Sequence, residues 1–220
     1  ARQPQPPSAA TDQTGRDVLD LIRRIDRQYP DGFTLERVRG YAAEHTLTLT
    51  LPPPGPAGRR VLLMTGWTDY AFSGDNVAAH QAGLQLLPPS LEAKGPDGRW
   101  SVAIADIGMP VGRPQTVAVD LSHEIPSTAR EVRIRTTMRI YWDQVLVDTS
   151  DGKAPYTISR LDPVTADLRW RGFSAETTPD GREPYGYDYA RVSARSPWKL
   201  LPGRYTREGG VGALLLHSDD

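Results

Sequence analysis

The chain has 220 residues and a formal net charge of −1, from 26 Lys and Arg against 27 Asp and Glu. This balance removes the general electrostatic reason to expect nucleic-acid binding, which needs a concentrated basic surface. The chain has no cysteine, which excludes disulfides, thiolate zinc sites, iron–sulfur clusters and cysteine nucleophiles. No stretch approaches the roughly 20 apolar residues of a membrane span.

Residues 1–13 are rich in Pro, Gln, Ser and Ala and show no apolar period. This composition predicts an extended Pro-rich tail that is mobile unless a partner holds it. The chain starts at Ala1, which is typical either of a mature N-terminus after signal removal or of a trimmed start. The first explanation favours an exported protein of the periplasm or cell envelope.

Residues 14–30 are predicted to form an amphipathic helix. One helical face carries the apolar residues Val18, Leu19, Ile22 and Ile25. Thr14 can cap this helix and Pro30 can end it. Packing of the helix on a β domain is the favoured interpretation, and a partner-binding helix is the alternative.

Residues 31–148 are predicted to form a β domain. From Glu44 the sequence shows the period of two that is typical of strands, and residues 60–65 form a continuously apolar run that favours a strand covered on both faces. The strand candidates are residues 45–51, 60–65, 83–87, 100–107, 115–121, 131–137 and 139–147. Turn sequences rich in Pro and Gly separate them at intervals typical of antiparallel sheets. The pattern predicts a mainly β fold, an antiparallel β-sandwich of jelly-roll or galactose-binding-like type.

Residues 149–220 contain many turn sequences and one convincing strand, at 166–171. They lack the apolar periodicity that a separate core needs. We therefore expect a long irregular extension that packs on the sandwich.

Chemistry-bearing motifs are scarce. The histidines are His45, His80, His123 and His217, and no two of them have metal-ligand spacing. The sequence also lacks a Gly-x-Ser-x-Gly turn and a phosphate-binding loop. We predict no catalytic residue, no cofactor and no metal site. A hydrolase that uses paired carboxylates stays open, because such pairs cannot be recognised by spacing in a β fold.

The loop that follows the predicted buried strand at 60–65 offers side-chain oxygens of the kind that calcium prefers, on Asp69, Asp75 and Asn76. The stretch does not match an EF-hand. Asx side chains in turns usually accept hydrogen bonds from nearby backbone groups. Backbone capping is therefore the favoured role, and a calcium site is the alternative.

Aromatic and basic residues supply the candidates for binding. We expect Trp67 to pack against the strand at 139–147, although an exposed aromatic platform would suit a glycan. The C-terminal stretch is locally basic, and five of its residues are candidates for protein binding: Arg191, Arg195, Arg204, Tyr187 and Trp198. We expect partner binding to run through this stretch and through residues 1–13. A merely solvated face is the alternative.

Several short stretches resemble a β domain found near the C-termini of bacterial proteins that carry tetratricopeptide or FG-GAP repeats. They are VLLMTGWTDY at 61–70, AHQAG at 79–83, PPSLE at 88–92, DGRW at 97–100, IGMPVG at 107–112, MRIYWD at 138–143 and DLRWRGF at 167–173. The resemblance spans roughly residues 41–216, but the repeats themselves are absent. It implies an exported accessory or adhesive module and implies no reaction.

These observations favour a non-catalytic interaction module, an extrinsic accessory subunit of a larger cell-envelope assembly such as an electron-transfer or other membrane complex. A carbohydrate-binding module is the first alternative, and the carboxylate-dependent hydrolase is the second.

Overall fold

The chain is mainly β, with 37% of residues in strands and 10% in helices. A computed structural model describes residues 3–153, 155–196 and 202–216. Its elements are β1 (Ala9–Asp12), β2 (Tyr41–Thr50), β3 (Val61–Thr68), α1 (Ser73–Gln81), β4 (Ser90–Lys94), β5 (Trp100–Ile104), β6 (Gln115–Asp120), β7 (Glu131–Met138), β8 (Ile140–Asp148), β9 (Asp167–Leu168), β10 (Phe173–Thr177), β11 (Gly186–Ser193), β12 (Gly209–Gly210) and α2 (Gly212–Leu216).

The chain divides into two compact units, Ala1–Ala154 and Pro155–Asp220. We call them the first unit and the second unit. The predicted start of the C-terminal extension, residue 149, lies close to this division. Packing of that extension on the rest of the chain stays a prediction.

The first unit contains two antiparallel sheets. One has five strands in the order β1-β2-β7-β4-β5, and the other has three in the order β6-β3-β8. Strict alternation along β7 buries Val132 and Ile134 and leaves Arg133 and Arg135 on the opposite face. Six of the seven strands predicted in this unit correspond to β2, β3, β5, β6, β7 and β8.

Both sheets contribute to one hydrophobic core. Leu49 and Val132 come from the five-stranded sheet, and Leu62, Met64 and Val145 come from the three-stranded sheet. All five are fully buried. Burial of this kind contributes about 1.5–3 kcal/mol for each large aliphatic side chain, so this core is the main source of the first unit's stability.

The N-terminal segment is extended, as predicted, but it is joined to the sheet. The strand β1 pairs with β2, and Gln5 forms an isolated bridge with Val147 on β8. Ala10 is almost completely buried. Within the described residues 3–13, residues 9–12 are therefore an edge strand and Gln5 is also bonded to β8, so this segment is not a free tail.

The predicted helix over residues 14–30 is wrong. Only a single 3₁₀ turn forms, at Leu19–Ile22. The backbone N–H of Val18 donates to the carbonyl of Ala10, and Arg23 forms a bridge with Gln144 on β8. Because these backbone groups bind the sheet, they cannot also form the i to i−4 bonds of a helix.

A second correction concerns residues 83–87, which were predicted to form a strand and are irregular in the structure. The backbone N–H of Leu87 donates to the Thr137 hydroxyl instead of a strand partner. The helix α1, which ends just before this segment, was not predicted. Its first turn reads Ser-Gly-Asp-Asn, which looks like a loop by composition.

The second unit holds the β10–β11 hairpin, the short β9–β12 pair and α2. The strand predicted at 166–171 shortens to the two residues of β9. In the described residues of this unit, Pro184 is the only buried one. The second unit therefore has regular structure without a hydrophobic core in its described residues.

Candidate functional site

Large apolar side chains lie exposed throughout the second unit. Trp170 is 60% exposed and Tyr187 is 49% exposed. The same is true of Tyr156, Ile158, Leu161, Val164, Leu168, Tyr185, Tyr189, Val192, Tyr205, Leu214, Leu215 and Leu216. Exposed apolar surface on this scale marks interaction sites in soluble proteins.

The β10–β11 hairpin contains an irregularity that shapes this surface. Ser174 is opposite Val192, but the next residue, Ala175, is opposite Asp188. Residues 189–191 therefore have no partner on β10. A bulge of this kind bends the strand and changes the direction of the side chains it carries.

Side chains of the second unit hold this bulge in place. The Arg171 guanidinium donates to the carbonyl oxygen of Tyr189 and lies 5.6 Å from the centre of its ring. The backbone N–H of Ala190 donates to an Asp188 carboxylate oxygen over 3.0 Å. These hydrogen bonds and the contact with the Tyr189 ring therefore stabilise the bulge.

A cavity of about 630 Å³ lies on the hairpin beside the bulge. We call it the arginine groove. Its lining includes Phe173, Glu176, Arg191, Val192 and Arg195. It thus combines two guanidinium groups and one carboxylate with apolar surface, and its volume falls in the usual range of ligand pockets.

The structure places the four described candidates for protein binding in three locations. Arg191 and Arg195, four residues apart in sequence, both line the arginine groove. Tyr187 lies on β11 opposite Glu176 and next to the ring of Tyr189, at 6.4 Å between centroids. Arg204 is exposed in an irregular segment. Trp198 lies outside the described residues.

Phe173 and Glu176 were not among the predicted site residues. Both lie on β10, and only the register of the hairpin brings them beside Arg191 and Arg195. The sequence signal that could have found them is the turn sequence Pro-Asp-Gly at 179–181, which connects two short strands.

The three calcium candidates have partners within the protein. An Asp69 oxygen lies 2.8 Å from Arg39 Nε, and Asp75 accepts the backbone N–H of Phe72 at the start of α1 over 2.9 Å. Asn76 Oδ1 accepts the Tyr41 hydroxyl over 3.0 Å. No group of three or more His, Asp or Glu side chains in the described parts of the chain is arranged to hold a metal ion.

Asp69 also contacts Arg139, the residue that joins several loops of the first unit. Arg139 Nη1 lies 3.1 Å from an Asp69 oxygen. The same guanidinium donates to the backbone carbonyls of Glu36, Val38 and Tyr41. The Asp69 carboxylate therefore acts as the counter-ion of a structural arginine.

Arg60 and Asp143 are two of the charged residues buried in the first unit. Arg60, 1% exposed, donates to the carbonyls of Ser127 and Ala129. Asp143, 4% exposed, accepts the backbone N–H groups of Asp26 and Arg27 at 3.1 and 3.0 Å. Burial raises the pKa of Asp143 above its usual value. Both groups hold loops against the sheets.

Trp67 packs against β8, as predicted. Its ring stacks on Tyr141 at 4.7 Å between centroids, and only 8% of its surface is exposed. Tyr29, Phe33 and His45 extend the same aromatic cluster. Burial lowers the pKa of His45 below its usual value. Trp67 is a core residue and cannot stack on a sugar.

Two other aromatic residues lie at the surface of the first unit. Tyr70 and Phe72 are nearly half exposed and meet edge to face at 5.5 Å. The Arg39 guanidinium lies 4.9 Å from the centre of the Phe72 ring. An exposed aromatic platform in this part of the chain therefore consists of Tyr70 and Phe72 and does not include Trp67.

Comparisons of the chain with protein-family models, with curated proteins and with solved structures found no match. The resemblance to a domain of repeat-containing bacterial proteins stays a prediction. Among the described residues, no helix is both long and apolar enough to cross a membrane.

Proposed function

We propose that the chain is a non-catalytic interaction module that binds a protein partner through its second unit. The single observation that carries this proposal is the exposure of large apolar side chains across that unit, with Pro184 as its only buried described residue. Apolar surface left in water favours association with a complementary surface.

The residue types on this surface support a protein partner. Trp, Tyr and Arg are enriched among the residues that dominate binding energy at protein interfaces. Trp170, Tyr187 and Tyr189 supply flat aromatic area, and Arg191 and Arg195 supply charge within the same unit. The first unit, with its continuous core, serves in this proposal as the stable scaffold, with its two sheets packed as a sandwich.

In this proposal the module is an exported accessory subunit of a larger cell-envelope assembly, such as an electron-transfer or other membrane complex. The resemblance to the domain of repeat-containing bacterial proteins supports this placement. Fractionation of the producing cells tests it directly. Recovery with the periplasm or with washed envelope membranes is the expected result, and recovery with the cytoplasm would contradict it.

A capture experiment with the full chain tests the proposed function. The bait carries Trp170→Ser and Tyr187→Ser, and the control bait carries Leu35→Ser and Val102→Ser, which removes two exposed apolar residues from the first unit. We expect the first pair to abolish capture of the partner from the producing cells, and the control pair to retain it. Equal loss with both baits, or no loss with either, would contradict the proposal. Melting temperatures of all baits show that each one is folded.

A carbohydrate-binding function is the second candidate, and the exposed pair of Tyr70 and Phe72 favours it. Aromatic faces of this kind stack on sugar rings. A glycan array with the wild-type chain and with Tyr70→Ala and Phe72→Ala tests this function. Sugar binding by the wild-type chain that both variants lose would support this function. No binding of the wild-type chain to any glycan on the array would contradict it.

A further inference from the structure

We propose that the arginine groove binds an acidic segment of the partner protein, with carboxylates against Arg191 and Arg195 and an apolar side chain against Phe173 and Val192. This inference rests on the proposed function, because it names the chemistry of the segment through which the partner makes contact.

The first argument for an acidic ligand is the charge of Arg191 and Arg195. Within the described residues, the side chains of Arg191 and Arg195 form no hydrogen bond or ion pair, whereas Arg133, Arg135 and Arg139 of the first unit are all paired with carboxylates. A planar guanidinium fits a carboxylate through two parallel hydrogen bonds. Arg191 and Arg195 therefore offer a pair of sites for carboxylates.

Glu176 limits which ligands fit. It lines the same groove, so the charged lining is two guanidinium groups and one carboxylate, a net charge of +1. A segment that alternates acidic and apolar residues satisfies both arginines and covers Phe173 and Val192. A densely charged polyanion would instead meet Glu176 with like charge, which is unfavourable.

The backbone of the hairpin suits an extended ligand. Among the described residues, β10 and β11 pair only with each other, so each has an outer edge. Edge strands are common contact sites for extended peptides. The bulge at 189–191 lies beside the groove, and bulges often re-aim side chains next to binding sites.

Fluorescence anisotropy with the full chain tests the inference. The probe is a short fluorescein-labelled peptide of alternating Glu and Val, and the comparison probes replace every Glu with Gln or with Lys. We expect the Glu probe to bind, the other two to bind at least about tenfold more weakly, a difference of about 1.4 kcal/mol per tenfold, and added NaCl to weaken binding.

Charge reversal places the binding site. Arg191→Glu with Arg195→Glu is expected to weaken binding of the Glu probe at least about tenfold. The matched control, Arg160→Glu with Arg207→Glu, makes the same change of charge at two exposed arginines outside the groove and is expected to leave binding within about twofold. Equal loss with both pairs, or equal binding of the Glu and Gln probes, would overturn the inference. Competition by free glutarate as strong as that by the unlabelled Glu peptide would also overturn it, because the groove would then be a small-molecule site.

The capture experiment separates this inference from the proposed function. If Arg191→Glu with Arg195→Glu still captures the partner while Trp170→Ser with Tyr187→Ser does not, the proposed function stands and the groove inference fails. If neither pair changes capture, the proposed function fails.

Discussion

Along β7 of the first unit, alternate residues such as Val132 and Ile134 enter a core, whereas along β11 of the second unit Tyr187 and Tyr189 both stay exposed. Both strands are eight residues long and pair in antiparallel fashion. The difference is that β7 is covered by a second layer of apolar side chains. Backbone pairing alone therefore makes a strand, but only burial against another surface makes it a source of stability.

The two units also differ in how their arginines are bonded. In the first unit Arg139 binds a carboxylate and three backbone carbonyls, and Glu92 lies between Arg133 and Arg135. In the arginine groove the two arginines have no such partners among the described residues. Arg139 of the first unit holds the unit's own loops, whereas in our proposal Arg191 and Arg195 of the second unit bind a ligand.

The largest predicted difference in stability between the two units is between alanine variants of Trp67 and Trp170. Trp67→Ala should lower the free energy of unfolding by about 3–5 kcal/mol, because it removes a large aromatic from the core. Trp170→Ala should change it by less than about 0.5 kcal/mol, because that ring is exposed. Urea unfolding of the two variants measures both values. Similar losses at the two positions would show that the second unit has a core of its own.

Alanine substitution of two glycines is expected to give a smaller difference in stability. Gly40 has a φ of +86°, and a Cβ there would lie 2.4 Å from the backbone nitrogen of Ala71. Gly40→Ala should therefore cost about 1–3 kcal/mol through strain and overpacking. Gly181 has a φ of +76° but open space around it. Gly181→Ala should alter global unfolding less, and thermal melts of both variants would reveal the reverse order if this account is wrong.

The smallest effect concerns pH and Asp143. Because burial raises its folded-state pKa above 3.8, the folded chain binds more protons than the unfolded chain between 3.8 and the raised pKa. The contribution of this group to stability therefore increases as pH falls through that interval, and it is unfavourable above it.

Asp143→Asn keeps an oxygen that can accept the N–H groups of Asp26 and Arg27 but removes the titration. Relative to the wild type, the variant should be most stable near pH 7 and should lose that advantage as pH falls toward 4. Urea unfolding across this range measures the difference. An advantage of the variant that grows on acidification would contradict the assignment.

Sequence reasoning found what depends on local pattern. The alternation in β2 and β7 predicts both strands, and the apolar run after Arg60 predicts β3. The packing of Trp67 followed from its place at the end of that strand. The residues Arg191 and Arg195 stood out because their stretch is locally basic.

What the sequence did not predict depends on contacts between distant residues. The apolar pattern at Val18 and Ile22 fits a helix, but those residues are buried beside backbone that pairs with β1 and β8. The partners of Asp69 and Asp143 lie far away along the chain. The groove is lined by residues of both β10 and β11, and the register shift between these strands follows from no local rule.

Hydrogen exchange of the full chain, alone and with its captured partner, tests the central claim most directly. We predict slow exchange of the amides in β2, β3, β7 and β8 in both samples, and fast exchange of the amides in β10 and β11 that slows when the partner is bound. Amides of β10 and β11 that exchange as slowly as those of β7 in the free chain, and do not change on binding, would contradict the claim that the second unit is an uncovered binding surface.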